Sequence, residues 1–318
     1  MLPLFDPPEE QAEEGGFDRE ALRERLTHLA RRRIYVGGSS WKYEGWLGQI
    51  YTPSRYLARG KFSKKLFAET CLGEYAQLFP TVCGDFAFYQ FPTETFWAKL
   101  FRQTPETFRW GFKVPEQITV PVWPVHPRYG AQAGRKNLDF LDAAMFRGSL
   151  LDALAPYREQ VGVLIFEFGR QHACELSEFI GLLDNFLDQL PAGWRYAVEI
   201  RNPEFLAADY FECLRAHEVT HVYNAWARMP EIREQMNMAG SDTAETIVAR
   251  ALLRHGRPYE KAVEQFAPYR RVQEVNEPVR DALRELIDIA QVDGRTAFIF
   301  VNNRLEGNSP GTIVAITE

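Results

Sequence analysis

The chain has 318 residues, of which 46% are hydrophobic, 14% aromatic and 25% charged, and this composition excludes a disordered protein. With 37 Lys and Arg against 43 Asp and Glu, the formal net charge is −6, so an overall positive field that would hold a nucleic-acid backbone is absent and nucleic acid is a disfavoured partner. The four cysteines lack metal-ligand or disulfide-framework spacing, and the longest apolar run is too short for a membrane span, so we expect a cytoplasmic globular protein without cofactor, metal or membrane contact.

The N-terminal region is predicted to form an extension of the main domain. Residues 1–16 combine proline, glycine and glutamate without hydrophobic periodicity, which predicts a flexible lead-in. Residues 17–33 carry leucines at the spacing of one helix face and end in three arginines, which favours a helix. The remaining residues, 34–318, are predicted to form one domain.

This domain alternates short apolar runs with amphipathic stretches, a pattern typical of βα units and a parallel sheet. Eight runs are predicted to be strands: Ile34–Gly37, Thr81–Asp85, Phe108–Val114, Val161–Phe168, Arg195–Ile200, Val219–Tyr223, Glu245–Ala251 and Thr296–Val301. Helical patterns lie between them at 63–79, 93–104, 137–155, 175–190, 203–217 and 279–290. Eight strands separated by helices predict an α/β fold, a single (β/α)₈ TIM barrel.

Two connections are unusually long, one after the third strand (115–134) and one after the sixth (224–240). Loops of this length are often functional. Because the second carries Trp226 and three methionines, we expect it to be a lid over the barrel mouth; the alternative is a set of short helices that cap the barrel permanently.

In a parallel barrel the active site is built at the carboxyl ends of the strands, so the residues at those ends are the candidates. Each of the eight predicted strands ends in polar residues. The candidates for ligand binding or catalysis are Trp41, Asp85, Tyr89, Lys113, Glu167, Glu199, Arg201, Asn202, Arg250, Asn302 and Asn303.

Several of these candidates also have a purely structural interpretation. Glu199 and Arg201 share one face of a strand, where they could be a site or a structural salt bridge. Lys113 could clamp an anion, form an ion pair or act as a Schiff-base nucleophile. Arg250 interrupts an apolar strand and therefore needs a carboxylate or a ligand as its partner.

Four further candidates are aromatic or amide side chains. Trp41 and Tyr89 follow strand ends and could stack a ring. One of Asn302 and Asn303 is expected to hold a left-handed turn while the other faces the pocket. His126 and His221 are the histidines placed near the mouth.

Six segments together resemble the DUF72 or YecE-like family of TIM-barrel proteins. They are GGSSWKYEGWLGQIY (37–51), FAFYQFP (86–92), TPETFRWGFKVPEQIT (104–119), GVLIFEFG (162–169), AVEIRNPEFL (197–206) and FIFVNNRLEGNSP (298–310). The resemblance covers residues 34–316 and implies a barrel, but it carries no reaction. Cys83 and Asp85 depart from the family's usual Glu and Asn, and Glu167 stands where Gln is frequent.

The candidates together favour a ligand that is small, polar and anionic, such as a sugar, a sugar phosphate or a nucleotide fragment. Our first hypothesis is an enzyme of hydrolase or lyase type, with Glu199 as general acid or base and with Lys113 and Arg201 stabilising negative charge. The second is a non-catalytic ligand-binding or regulatory barrel. The third and least favoured hypothesis is a metal site formed by Asp85, Glu167 and Glu199. The sequence makes no prediction of oligomeric state.

Overall fold

A computed structural model describes residues 17–88, 91–170 and 174–318. The predicted lead-in, 1–16, and the candidate Tyr89 lie outside the described residues. The first described element is a helix, α1 (Arg19–Arg31), which begins where the Asp18 side chain accepts a hydrogen bond from the Ala21 amide. Its apolar face, predicted from the leucine spacing, is buried against the barrel.

Eight parallel strands form a closed barrel, which confirms the predicted fold class. They are β1 (Ile34–Gly38), β2 (Thr81–Gly84), β3 (Arg109–Lys113), β4 (Val161–Phe168), β5 (Tyr196–Ile200), β6 (Thr220–Ala225), β7 (Ile247–Ala251) and β8 (Ala297–Val301). Each strand pairs with its neighbours in sequence, and β8 closes the barrel on β1 with Gly37 opposite Phe300. A short antiparallel hairpin, Leu57–Ala58 with Lys61–Phe62, follows β1 and was not predicted.

The connecting helices are α2 (Lys64–Tyr75), α3 (Glu94–Phe101), α4 (Glu116–Thr119), α5 (Ala143–Phe146), α6 (Asp152–Leu154), α7 (Leu176–Asp188), α8 (Ala208–Ala216), α9 (Ile232–Met236), α10 (Tyr259–Phe266), α11 (Glu277–Asp293), α12 (Asn303–Glu306) and α13 (Ser309–Ile316). The helix predicted over 137–155 is shorter and interrupted, because it begins at the Asp142 cap and passes through a π-helical turn, Arg147–Leu151. Helix α10 was not predicted. None of the helices in the described ranges is long and apolar enough to cross a bilayer.

The two faces of the barrel strands contribute to two separate apolar cores. Inside the barrel lie Cys83, Val163, Ile165, Ala197, Val222, Val248, Phe298 and Phe300. Residues of the opposite parity, such as Trp110 and Phe112, pack outward against the helices. Because side chains alternate along a strand, the inward positions above this apolar layer are Glu167, Glu199 and Arg250. The barrel therefore carries charged groups directly above an apolar floor.

The loop after β6 is packed onto the barrel. Helix α9 lies within it, and the Gln235 side chain both accepts from the Asn224 amide (3.1 Å) and donates to the Asn224 carbonyl (2.7 Å). Met229 and Ile232 are buried. These contacts favour the alternative interpretation, in which the loop after β6 caps the barrel permanently, over a movable lid.

The loop after β3 exposes both basic and apolar side chains. It contains helix α4 and a 3₁₀ turn, Pro127–Gln132. The three basic residues of this loop, Arg128, Arg135 and Lys136, are exposed, as are two apolar side chains, Val125 and Leu138. Arg128 lies 3.5 Å from the Glu116 carboxylate, so one of the three cations has an acidic partner.

Gly37 is predicted to be indispensable for barrel closure. A Cβ atom at this position would lie 2.1 Å from the Thr81 carbonyl oxygen of β2, and backbone cannot move aside as a side chain can. We expect Gly37→Ala to lower the free energy of unfolding by about 3 kcal/mol or more in urea denaturation. Gly73→Ala, in helix α2 where a Cβ meets only ordinary contact, is the control and should be neutral or stabilising. Equal stability of the two variants would contradict this role of Gly37.

Candidate functional site

Glu167, at the carboxyl end of β4, is the centre of a cluster of charged side chains. Its Oε1 accepts a hydrogen bond from Lys113 Nζ at 3.0 Å. Its Oε2 accepts from Arg201 Nη2 at 3.2 Å and from Arg250 Nη1 at 2.6 Å. Three cations supplied by β3, by the end of β5 and by β7 therefore share one carboxylate, as the inward orientation of their strands requires.

Glu199 forms the lower half of the same cluster. Its Oε2 accepts a hydrogen bond from Arg250, and its Oε1 is in ion contact with Arg201 without accepting a hydrogen bond. The Glu199 side chain is 0% exposed, whereas that of Glu167 is 15% exposed and that of Lys113 is 11% exposed. Asn224 completes the lower layer, since its Oδ1 accepts from Arg201 Nη1 at 3.4 Å.

The charges of this cluster do not cancel, because three cations face two carboxylates. Burial alone would raise the pKa of Glu167, but the charges of Lys113, Arg201 and Arg250 outweigh it and hold that pKa well below its ordinary value. Burial likewise opposes the charge on Arg250, yet Glu199 and Glu167 hold its pKa well above the usual range. Glu167 is therefore a carboxylate at neutral pH and the cluster keeps an excess positive charge.

Two aromatic rings flank the cations. Lys113 Nζ lies 3.6 Å from the centre of the Phe88 ring, and the Arg201 guanidinium carbon lies 4.2 Å from that of Trp226. Aromatic faces attract cations and hold them in place. Phe88, Trp226 and Asn224 were not among the predicted site residues, although Trp226 was expected in the loop over the barrel mouth. Asn224 could have been found, since it lies two residues past the inward Val222 on the same strand face.

Trp41, Asn202 and Asp85, three other candidates, differ in their surroundings. Trp41 is buried with its ring edge-on to Phe86 and Trp110, and so packs in the outer core. Asn202 is also buried, and its side-chain amide donates to Glu204. Asp85 follows β2 and is exposed.

The expected left-handed turn at Asn302 or Asn303 is not formed, since neither residue has a positive φ. Asn302 caps helix α12: its Oδ1 accepts from the Arg304 amide and its Nδ2 donates to Ser39 Oγ. Asn303 Oδ1 accepts from the Ser309 amide. Both amides thus hold the backbone that follows β8.

Neither histidine placed near the mouth joins the cluster. His221 lies on the outward face of β6 against Tyr210 and Phe211, and burial lowers its pKa to about 3. His126 is exposed in the loop after β3, where its ring accepts from the Arg128 amide. Over the described ranges, no group of three or more His, Cys, Asp or Glu is arranged to hold a metal ion.

Comparison with known proteins agrees with the fold. The family model described as "Protein of unknown function DUF72" matches residues 35–318. The UPF0759 protein YecE of Escherichia coli K12 is 26% identical over 179 residues, which are 55% of this chain and 50% of that protein. The chain thus spans about half the length of the curated relatives it matches.

Two solved structures share the architecture. A DUF72 family protein of Enterococcus faecalis is 15% identical with a TM-score of 0.59, over 89% of this chain and 94% of its own. One from Thermotoga maritima is 16% identical with a TM-score of 0.57, over 89% and 96% of the two chains. At such identities these likenesses show the fold alone.

The lowered pKa of Glu167 predicts how stability depends on pH. A carboxylate whose pKa is lower in the folded state stabilises the fold above its unfolded value, near 4.5, and loses this contribution as the pH falls through the folded value. We expect the wild type to be more stable than Glu167→Gln at pH 6, and the difference to shrink toward pH 3, in urea denaturation at each pH. Glu106→Gln, at an exposed position, should follow the wild type throughout. A difference that stays constant with pH would contradict the prediction.

Proposed function

The chain belongs to the DUF72 family, and we propose that it binds a small anionic molecule at the carboxyl-terminal mouth of its barrel. The observation that carries this proposal is the charge of the cluster: three cations are shared by two carboxylates above a sealed apolar floor. An excess charge in a partly desolvated site is stabilised by a counter-ion of the opposite sign. A bound anionic ligand would be this counter-ion.

Lys113 is the cation best placed to meet the ligand. An ammonium group carries three donors, and Glu167 takes one of them while the Phe88 ring covers one side. Arg201, beside the Trp226 ring, adds a planar fork that suits the oxygens of a phosphate or a carboxylate. This donor set favours sugar phosphates, sugar acids or nucleotide fragments over neutral ligands.

For chemistry of hydrolase or lyase type, we assign the acid–base role to Glu167 rather than to Glu199. Glu199 is fully buried with both of its oxygens against arginines, so a substrate cannot reach it. Glu167 reaches the mouth. An anion that pairs with Lys113 and Arg201 would neutralise two of the three charges that keep the pKa of Glu167 low, so ligand binding would raise that pKa and prepare Glu167 to accept a proton.

A second candidate function, ligand binding without catalysis, is favoured by the pairing of the two carboxylates. A general base must be free to take a proton from the substrate, whereas Glu167 is held by three cations. The two functions share the anion site and differ in turnover. Release of inorganic phosphate from a panel of sugar phosphates distinguishes them for phosphate-ester hydrolysis.

Replacement of Lys113 tests the anion site. We expect Lys113→Met to weaken the binding of inorganic phosphate and of hexose 6-phosphates by about 10- to 100-fold in isothermal titration calorimetry, because one charged hydrogen bond is lost. The matched control is Lys65→Met, at an exposed position on α2. Its affinity should equal that of the wild type. Equal affinities of wild type and Lys113→Met would refute the assignment.

A further inference from the structure

A fourth cation at the mouth is not used by the cluster. Arg304 lies in α12, directly after the Asn302 cap at the end of β8. In the parts of the chain that the structure describes, no carboxylate lies within 4.0 Å of its guanidinium, and its buried Nε has no hydrogen-bond partner. Most other half-buried arginines in these parts have such partners: Arg254 and Arg257 share Glu274, for example. Among the described residues, no carboxylate therefore neutralises the charge of Arg304, whose side chain interacts with the Tyr269 hydroxyl instead.

The surroundings of Arg304 are aromatic. Its guanidinium carbon lies 4.5 Å from the centre of the Tyr259 ring. Burial raises the pKa values of Tyr43 and Tyr269, and the positive charge of Arg304 opposes the rise at both. These two tyrosines meet edge to face at 5.4 Å. Arg304 thus interacts with three tyrosines, Tyr259, Tyr43 and Tyr269.

Two of these tyrosines, Tyr43 and Tyr269, are linked to the charged cluster through a small apolar core. Tyr43 and Trp226 pack against the same small apolar core, which contains Tyr269 and is separate from the barrel interior. Trp226 in turn lies under the Arg201 guanidinium. Tyr43, Tyr269 and Trp226, which we call the aromatic wall, thus share one apolar core, with Arg201 beside Trp226 and Arg304 acting on the two tyrosines.

We propose that Arg304 is a second anion-binding residue, so that the ligand carries two negatively charged groups, one at Lys113 and Arg201 and one at Arg304. The part of the ligand that joins them lies along the aromatic wall. This inference rests on the proposed function and narrows its ligand class to bis-anionic molecules, such as sugar bisphosphates and phosphorylated sugar acids.

Asp85 is consistent with this ligand class. It is exposed, and its charge adds to the effect of burial in raising the pKa of Tyr43, so one carboxylate lies near enough to act on the aromatic wall. A carboxylate repels an anionic group and accepts hydrogen bonds from hydroxyl groups. It would favour hydroxyls on the joining part of the ligand and restrict the negative charges to its two ends.

The experiment compares fructose 6-phosphate with fructose 1,6-bisphosphate by isothermal titration calorimetry. In the wild type we expect the bisphosphate to bind about tenfold tighter or more. Arg304→Gln should abolish this preference and leave the affinity for the monophosphate within about twofold, because the first site is intact. Arg304→Lys keeps the positive charge but lacks the paired donors of the planar guanidinium, so it should retain part of the preference for the bisphosphate.

The control is Arg102→Gln, at the carboxyl end of α3. This end of a barrel helix lies at the face opposite the mouth, and Arg102 is exposed. The variant should keep the wild-type preference. If the wild type binds both sugars equally, or if Arg304→Gln keeps the preference, the second site is refuted while the proposed function stands. If neither sugar nor inorganic phosphate binds the wild type, the proposed function fails and the second site with it.

Discussion

The charge arrangement at the mouth depends on one buried carboxylate, that of Glu199. An ion removed from water costs several kcal/mol unless it is paired, so Glu199 requires both Arg201 and Arg250. Two buried guanidinium groups require more than one carboxylate, and Glu167 supplies the second. Glu167 also binds Lys113, which restores the positive excess. The excess positive charge that we propose a ligand neutralises thus arises because inward positions of β3, β4, β5 and β7 meet across the barrel.

The barrel determines where this excess lies. Glycines at 111 and 162 lie opposite the rings of Phe300 and Phe298, so large and small residues fill the interior and no polar group is needed there. The next inward positions face the mouth. These positions carry the charged residues because the apolar layer below them excludes water, while the mouth above them is open to a ligand. The residues of the apolar interior and those of the charged cluster therefore lie in successive layers of the same strands.

Much of the fold was predictable because it depends on periodicity. The eight strands and the inward position of Lys113 follow from alternation along the strand and from the barrel's fixed polarity. Contacts between distant segments were not predictable. Trp41 follows a strand end but packs in the outer core, Asn302 caps a helix, and Gln235 fixes the loop after β6. Each depends on a partner that the local sequence does not specify.

The most direct measurement of the central claim is a crystal structure of the wild type grown with selenate, whose anomalous scattering locates the anion without reference to its shape. Our account predicts a peak within hydrogen-bond distance of Lys113 Nζ and the Arg201 guanidinium, at the partly exposed side of Glu167. The same peak should be lost in crystals of Lys113→Met. Peaks confined to the outer surface of the barrel, with the charged cluster unoccupied at saturating selenate, would contradict the account.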